Sequence, residues 1–200
     1  NKRTVKSYDL GALLTTQIQA LSTTNLAALA DTQIAVLSAA QVQAISTAGV
    51  AALTETQIGA LTTTQIAAMS TQQVNAMTNA NLSALTADQV AAMTGAQVAA
   101  LTIAQINSLN SGDIAEFSAT QIAAMTATQV AGLSATKVGD LNETQVAALT
   151  TTQVAALTAA NAHALGDTQI AALSTGQAAA MTTTQIAGLD ATDMGEFAAT

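Results

Sequence analysis

An apolar residue returns at every eighth position along nearly the whole chain. From Val5 the series runs Leu13, Leu21, Leu29, Leu37, Ile45, Leu53, Leu61, Met69, Met77, Leu85 and Met93, and continues through Phe117 to Leu189 and Phe197. A second apolar position, usually Ile or Val, falls five residues after the first, as in LTTTQIAAM at 61–69 and LNETQVAAL at 141–149. Residues 5–196 form 24 octapeptides with no insertion or deletion, residues 1–4 are an N-terminal extension, and the last four residues open a further half unit. The expectation is one continuous array over 5–200, cut from a longer one, because nothing in the half unit departs from the pattern as a cap would.

Within the unit the consensus is L-[ST]-x-x-Q-[IV]-A-A. Position 2 is Ser, Thr, Asn or Asp in 20 of 24 units, and position 5 is Gln in 16, with Asn or Asp in six more. A Ser or Thr followed three residues later by Gln is the capping box: the hydroxyl accepts from the third helical amide and the Gln side chain accepts from the cap's own amide. The Leu before the cap and the Ile or Val after the Gln complete a hydrophobic staple. The pairs Thr54 with Gln57, Thr62 with Gln65, Thr86 with Gln89, Thr150 with Gln153 and Thr182 with Gln185 are the clearest structural caps.

A single long helix does not suit this period, since eight residues at about 100° each leave a drift of roughly 80° per unit and smear the apolar positions around every face. A β-solenoid suits the Thr, Val and Ile content, but positions 1 and 6 differ in parity and would point to opposite faces, while Ala-Ala and Gln favour helix. The pattern therefore predicts an all-α solenoid or superhelix of very short helices, one of about six residues per octapeptide. A helix that short does not survive alone. The chain is expected to turn at each Ala-Leu-Thr junction so that consecutive helices pack, with Leu and Ile/Val inward.

Composition narrows the function. Charged residues are 8% and aromatics 2% of the chain, so the core is Ala with two larger aliphatics per unit. Lys2, Arg3 and Lys6 cluster at the start, and from Ser7 onward the balance is 1 − 12 = −11. Such a surface repels phosphate backbones and anionic lipid, which excludes nucleic-acid and membrane-surface binding. Thr, Ser and Gln interrupt every eight residues, so no stretch reaches the 18 apolar residues of a membrane span. Residues 1–20 have a basic start but no apolar core of a signal peptide, so any export signal is expected outside this sequence. The absence of Cys removes disulfides and thiolate chemistry and suits a bacterial protein exported unfolded.

No catalytic set can be assembled. His163 is the one imidazole, with no triad partners, and reads as an exposed or space-filling helix residue; a zinc site needs three or four ligands. Asp113 with Glu116 and Asp193 with Glu196 recur 80 residues apart, each pair followed by Phe. Their i, i+3 spacing places each pair on one face, where calcium would bind only if adjacent repeats supplied further oxygens; solubilising charges within a longer duplication is the simpler reading. Met69, Met77, Met93, Met125 and Met181 replace Leu at position 1 and are core filler. No cofactor is expected.

Two resemblances bear on function. The unit LTADQVAAM at 85–93 is similar to the opening of the first helix in TAL effector repeats, over about nine residues, without their second helix or base-reading loop. It implies a good helix start; DNA binding does not carry over to so acidic a chain. Residues 5–200 resemble, in composition and period, the Ala/Thr/Gln-rich octapeptide arrays of very large secreted proteins of Gram-negative bacteria, some adhesin-like or haem-utilisation-like. That resemblance implies an extracellular or cell-surface location, with other domains of a larger surface protein as neighbours. A haem role finds no axial ligand beyond His163.

These observations lead to the expectation of a non-catalytic structural repeat, a stiff extended spacer or a fibre segment that self-associates. The alternative is a binding module for ice or polysaccharide that uses rows of Thr such as Thr63-Thr64, Thr151-Thr152 and Thr183-Thr184, although positions 3 and 4 vary in other units.

Overall fold

In the computed structural model, which describes residues 10–197, the octapeptides fold as 23 α-helices of five to seven residues, and no strand occurs among the described residues. Each helix starts where position 2 takes an extended conformation, as at Thr62 (φ −75°, ψ 159°), and ends at or just before position 1, which is extended in turn at Met69 (φ −59°, ψ 142°). Six helical and two extended residues thus make one unit. Among the described residues no backbone has positive φ, so every turn is made by conformations open to any L-residue.

The chain forms two units, residues 1–100 and 101–200. In the first, the helices lie in three columns. Thr15–Gln19, Ala39–Ala44, Thr63–Ala68 and Ala87–Ala92 stack in order; so do Thr23–Ala27, Thr47–Ala52, Thr71–Ala76 and Gly95–Ala100; and Asp31–Ala35, Glu55–Gly59 and Asn79–Ser83 form the third. The second unit repeats the plan, with Ala119–Ala124, Glu143–Ala147, Asp167–Ala171 and Ala191–Phe197 in one column, Ala127–Ala131, Thr151–Ala156 and Thr175–Ala180 in another, and Ala135–Gly139, Ala159–His163 and Thr183–Ala187 in the last.

The principal packing is therefore between helices three octapeptides apart, and 24 residues make one turn of the solenoid. This corrects the expectation that consecutive helices are the main packing partners. Consecutive helices are joined by a two-residue corner, and a helix finds its broadest partner face when the chain has come round once. Positions 1 and 6 both point into the turn, as at Leu61 and Ile66 or Leu149 and Val154, which are almost fully buried. The Ala residues on the other positions let neighbouring helices approach closely while leaving little apolar surface outside.

Candidate functional site

The chemical feature repeated through the array is the position-5 Gln, a polar side chain buried in the core from Gln41 onward. Gln57, Gln65, Gln89, Gln153 and Gln185 are each no more than 3% exposed. Their amides accept and donate in two directions at once. At the near end, Oε1 accepts from the cap amide: Thr54 N–H at 2.9 Å, Thr62 at 2.6 Å, Thr86 at 2.8 Å, Thr150 at 2.6 Å and Thr182 at 2.6 Å. The threonine hydroxyls in turn accept from the Gln backbone amides at 3.2 to 3.3 Å. At the far end, Nε2 donates to carbonyls 28 and 31 residues earlier. Gln153 reaches Ile122 at 2.9 Å and Met125 at 2.7 Å; Gln65 reaches Ile34 at 3.2 Å and Leu37 at 2.6 Å. The first of each pair, Ile122 or Ile34, lies in the last turn of a helix and also accepts the amide three residues on, while the second, Met125 or Leu37, lies just past the last helical residue, where no intrahelical donor remains. One side chain therefore caps the start of its own helix and the end of a helix in the preceding turn.

The reach requires the length of Gln. Asn161 keeps the far bond, to Leu133 at 2.8 Å, but the near oxygen does not span to the cap amide of Thr158. Asn81 likewise donates to Leu53 at 2.9 Å, and its oxygen takes the Thr78 hydroxyl instead. At Gly49 the amide is absent and its space is filled: a Cβ there would lie 2.6 Å from Leu26 Cδ1 and 2.8 Å from Ile45 Cγ2. Leu26, at a place in the unit that is usually Ile or Val, reaches with its Cδ1 into the room that Gln vacates.

Lys137 is the other departure. Its side chain is 8% exposed and its ammonium meets Asp140 at 2.9 Å. A lysine cannot accept from the cap amide of Ser134; Asn107, from the turn before, accepts that hydrogen bond at 2.9 Å and donates to the Gly132 carbonyl at 2.9 Å. Beside it, Ile103 lies against Gly132, where a Cβ would come within 2.5 Å of Ile103 Cδ1. Non-consensus residues in this region occur as mutually fitting sets.

Asp113 and Asp193 are position-5 residues: each uses Oδ2 to accept its cap amide, Asn110 at 3.1 Å and Asp190 at 2.9 Å. Glu116 has a buried Oε2 without a hydrogen-bond partner, and burial first, the Asp113 carboxylate second, push its pKa up. The side chain of Glu196 lies outside the described residues. Among the described residues, no three His, Cys, Asp or Glu come together in a group fit to hold a metal ion. His163 is 59% exposed, with Nδ1 4.0 Å from Asp193 Oδ2. Glu143, at a helix start, is held below the usual carboxylate range by its own backbone amide and then by Thr168. Clefts of about 460 to 480 Å³ lie between stacked helices of the first unit and are lined chiefly by Thr and Ala, with Glu55 the one charged residue. No helix among the described residues is long and apolar enough to cross a membrane.

A feature built from a short motif that recurs in register invites comparison with known repeats. The chain is similar to the ALTTAQ repeat. The match to that family falls at residues 33–63, 57–87 and 66–103, in tandem, and supports a repeat array. No curated protein matches the chain.

Proposed function

We propose that the chain is a non-catalytic structural repeat: a stiff spacer or fibre segment of a secreted or cell-surface bacterial protein, which holds other domains apart. The observation that carries this reading is the buried amide ladder, in which Gln rungs such as Gln65 and Gln153 tie a helix start to a helix end one turn earlier. Each such hydrogen bond contributes about 0.5–1.5 kcal/mol, and their repetition rather than any one site sets the rigidity. The surface location draws its support from the resemblance to octapeptide arrays of large secreted proteins and from a sequence free of Cys. Variants lengthened by whole 24-residue turns test the mechanical reading. In small-angle scattering the maximum dimension should grow by about 8–10 Å per added turn, the distance between packed helices, at constant cross-section. Growth of the cross-section in step with length would defeat it.

A second reading, a polysaccharide- or ice-binding module, is favoured by one observation. Thr120, Thr144, Thr168 and Thr192 are exposed at the same position of four stacked helices. Thermal hysteresis or retention on immobilised glycans would promote this reading over the spacer.

A further inference from the structure

The amide rungs do not read which residue they hold. Gln65 and Gln153 donate to backbone carbonyls, which every residue offers, so a rung forms on any turn that comes into reach. An array built only of such units has a competing solution: one whole turn of 24 residues loops out, and the turns on either side stack on each other with caps and rungs intact. Nothing in the octapeptide consensus opposes it.

Two sets of side chains do. In the first unit, Leu26 Cδ1 and Ile45 Cγ2 lie 2.6 Å and 2.8 Å from the point where a Cβ on Gly49 would stand, so together they take the place of a Gln stem. Both residues are singular. The helices Thr47–Ala52, Thr71–Ala76 and Gly95–Ala100 carry Val50, Val74 and Val98 where the helix beneath them, Thr23–Ala27, carries Leu26. Ile45 is the one β-branched residue at position 1 between Leu13 and Phe197. In the second unit, Ile103 stands where the helices Ala127–Ala131, Thr151–Ala156 and Thr175–Ala180 begin with Ala or Thr. Its Cδ1, Cγ2 and Cγ1 lie 2.5, 2.9 and 3.0 Å from the Cβ that Gly132 lacks, and the equivalent residues of the next two turns are Ala156 and Ala180.

We propose that Leu26 with Ile45 and Gly49, and Ile103 with Gly132, are register marks that hold each turn on its immediate neighbour and oppose the pairing that skips one. A skipped turn in the first unit brings Gln73 to the place of Gly49, and its Cβ falls on the Leu26 methyl. In the second it brings Ala156 to the place of Gly132, against the branched side chain of Ile103. The overlap arises in the shifted pairing alone. For a spacer, register is length, because a looped-out turn shortens the array by one step; that consequence rests on the spacer reading, and the marks themselves do not.

Deletion of whole turns imposes the shifted pairing and keeps the cap junctions. Removing residues 45–68 joins Ala44 to Met69 and sets Leu26 against Gln73. In that chain Leu26→Val should slow unfolding about fivefold or more by relieving the overlap. In the intact chain the same substitution empties room beside Gly49 and should speed unfolding. Removing residues 127–150 sets Ile103 against Ala156, and Ala156→Gly should show the same reversal of sign. The effect on register is read in the intact chain with both sets brought to consensus by Leu26→Val, Ile45→Leu, Gly49→Gln, Ile103→Thr and Gly132→Ala. A brief elastase pulse at a fixed time in refolding from urea should cut this chain about three times as much as the parent, because looped-out turns are open to the protease. If the deleted chains do not fold, the pulse alone decides. Effects of one sign in deleted and intact chains, or a consensus chain that resists the pulse as well as the parent, would overturn the proposal.

Discussion

Asn107 accepts a hydrogen bond from the Ser134 amide at 2.9 Å, across one turn of the solenoid. In the units whose position 5 is Gln, that cap amide is served from within the unit, and Ser134 is the cap of the unit in which Lys137 replaces Gln. The two departures from consensus explain each other.

Asn107→Ala should therefore cost about 1–3 kcal/mol in urea unfolding, because the Ser134 amide and the Gly132 carbonyl both lose their partner. Lys137→Gln restores an acceptor inside the unit. In that background the cost of Asn107→Ala should shrink by half or more. Strictly additive effects in the double-mutant cycle would show the two sites to be independent.

Gln153 tests the rung itself. Gln153→Ala removes the bonds to Ile122, Met125 and the Thr150 amide from a buried position, and should cost about 1–3 kcal/mol. Gln153→Glu keeps the near bond but turns the far donor into a carboxylate facing carbonyls. It should be destabilised at pH 7 and recover at pH 4, where the protonated acid donates again. A pH-independent loss would mean that the far bonds contribute little.

Gly49→Ala probes complementary filling. The added Cβ meets Leu26 Cδ1 at 2.6 Å and should cost about 1–3 kcal/mol through overpacking. Combining it with Leu26→Val shortens the intruding side chain and should return most of that loss in thermal melts. If the double variant is worse than Gly49→Ala alone, Leu26 is not the group that occupies the slot.

Glu116 sets a pH dependence. Its folded pKa is raised by burial and by Asp113, so the folded state holds the proton more firmly than the unfolded chain. Its contribution is complete below the unfolded value and is lost as pH rises through the raised folded value. Glu116→Gln should accordingly be more stable than the parent at pH 7, with the advantage shrinking toward pH 4. A constant difference across that range would separate the effect from titration.

The octapeptide carries much of this architecture on its surface. Period, Ala content and the Thr-x-x-Gln spacing point to short helices in a solenoid, the class observed, because a capping box is local and needs no knowledge of the rest of the chain. The number of units per turn was not legible: a strict eight-residue period is compatible with any closure, and the partner of a helix is chosen by corner geometry rather than by its own letters. The far half of the Gln amide was hidden for the same reason, since Leu26 and Leu29 stand in no visible relation to Gln57 until the turn is known. Nothing in the consensus connects Asn107 with Lys137, and only the Ser134 amide, which Asn107 serves where Lys137 cannot, relates them. Asp113 and Asp193 stand out in the sequence through their i, i+3 partners, whereas their place at position 5, the slot of Gln, bears on them more.

Because each rung of the amide ladder joins residues 28 to 31 apart, as Gln89 joins Ile58 and Leu61, the loop it closes has the same length wherever it stands. The entropy of closing that loop is thus a constant per rung. Contact order relative to length falls as turns are added, and the rate-limiting search remains that of a first turn finding a second. A chain of a thousand such residues would fold by the same elementary step as a chain of a hundred, adding turns in succession onto a surface that is already made.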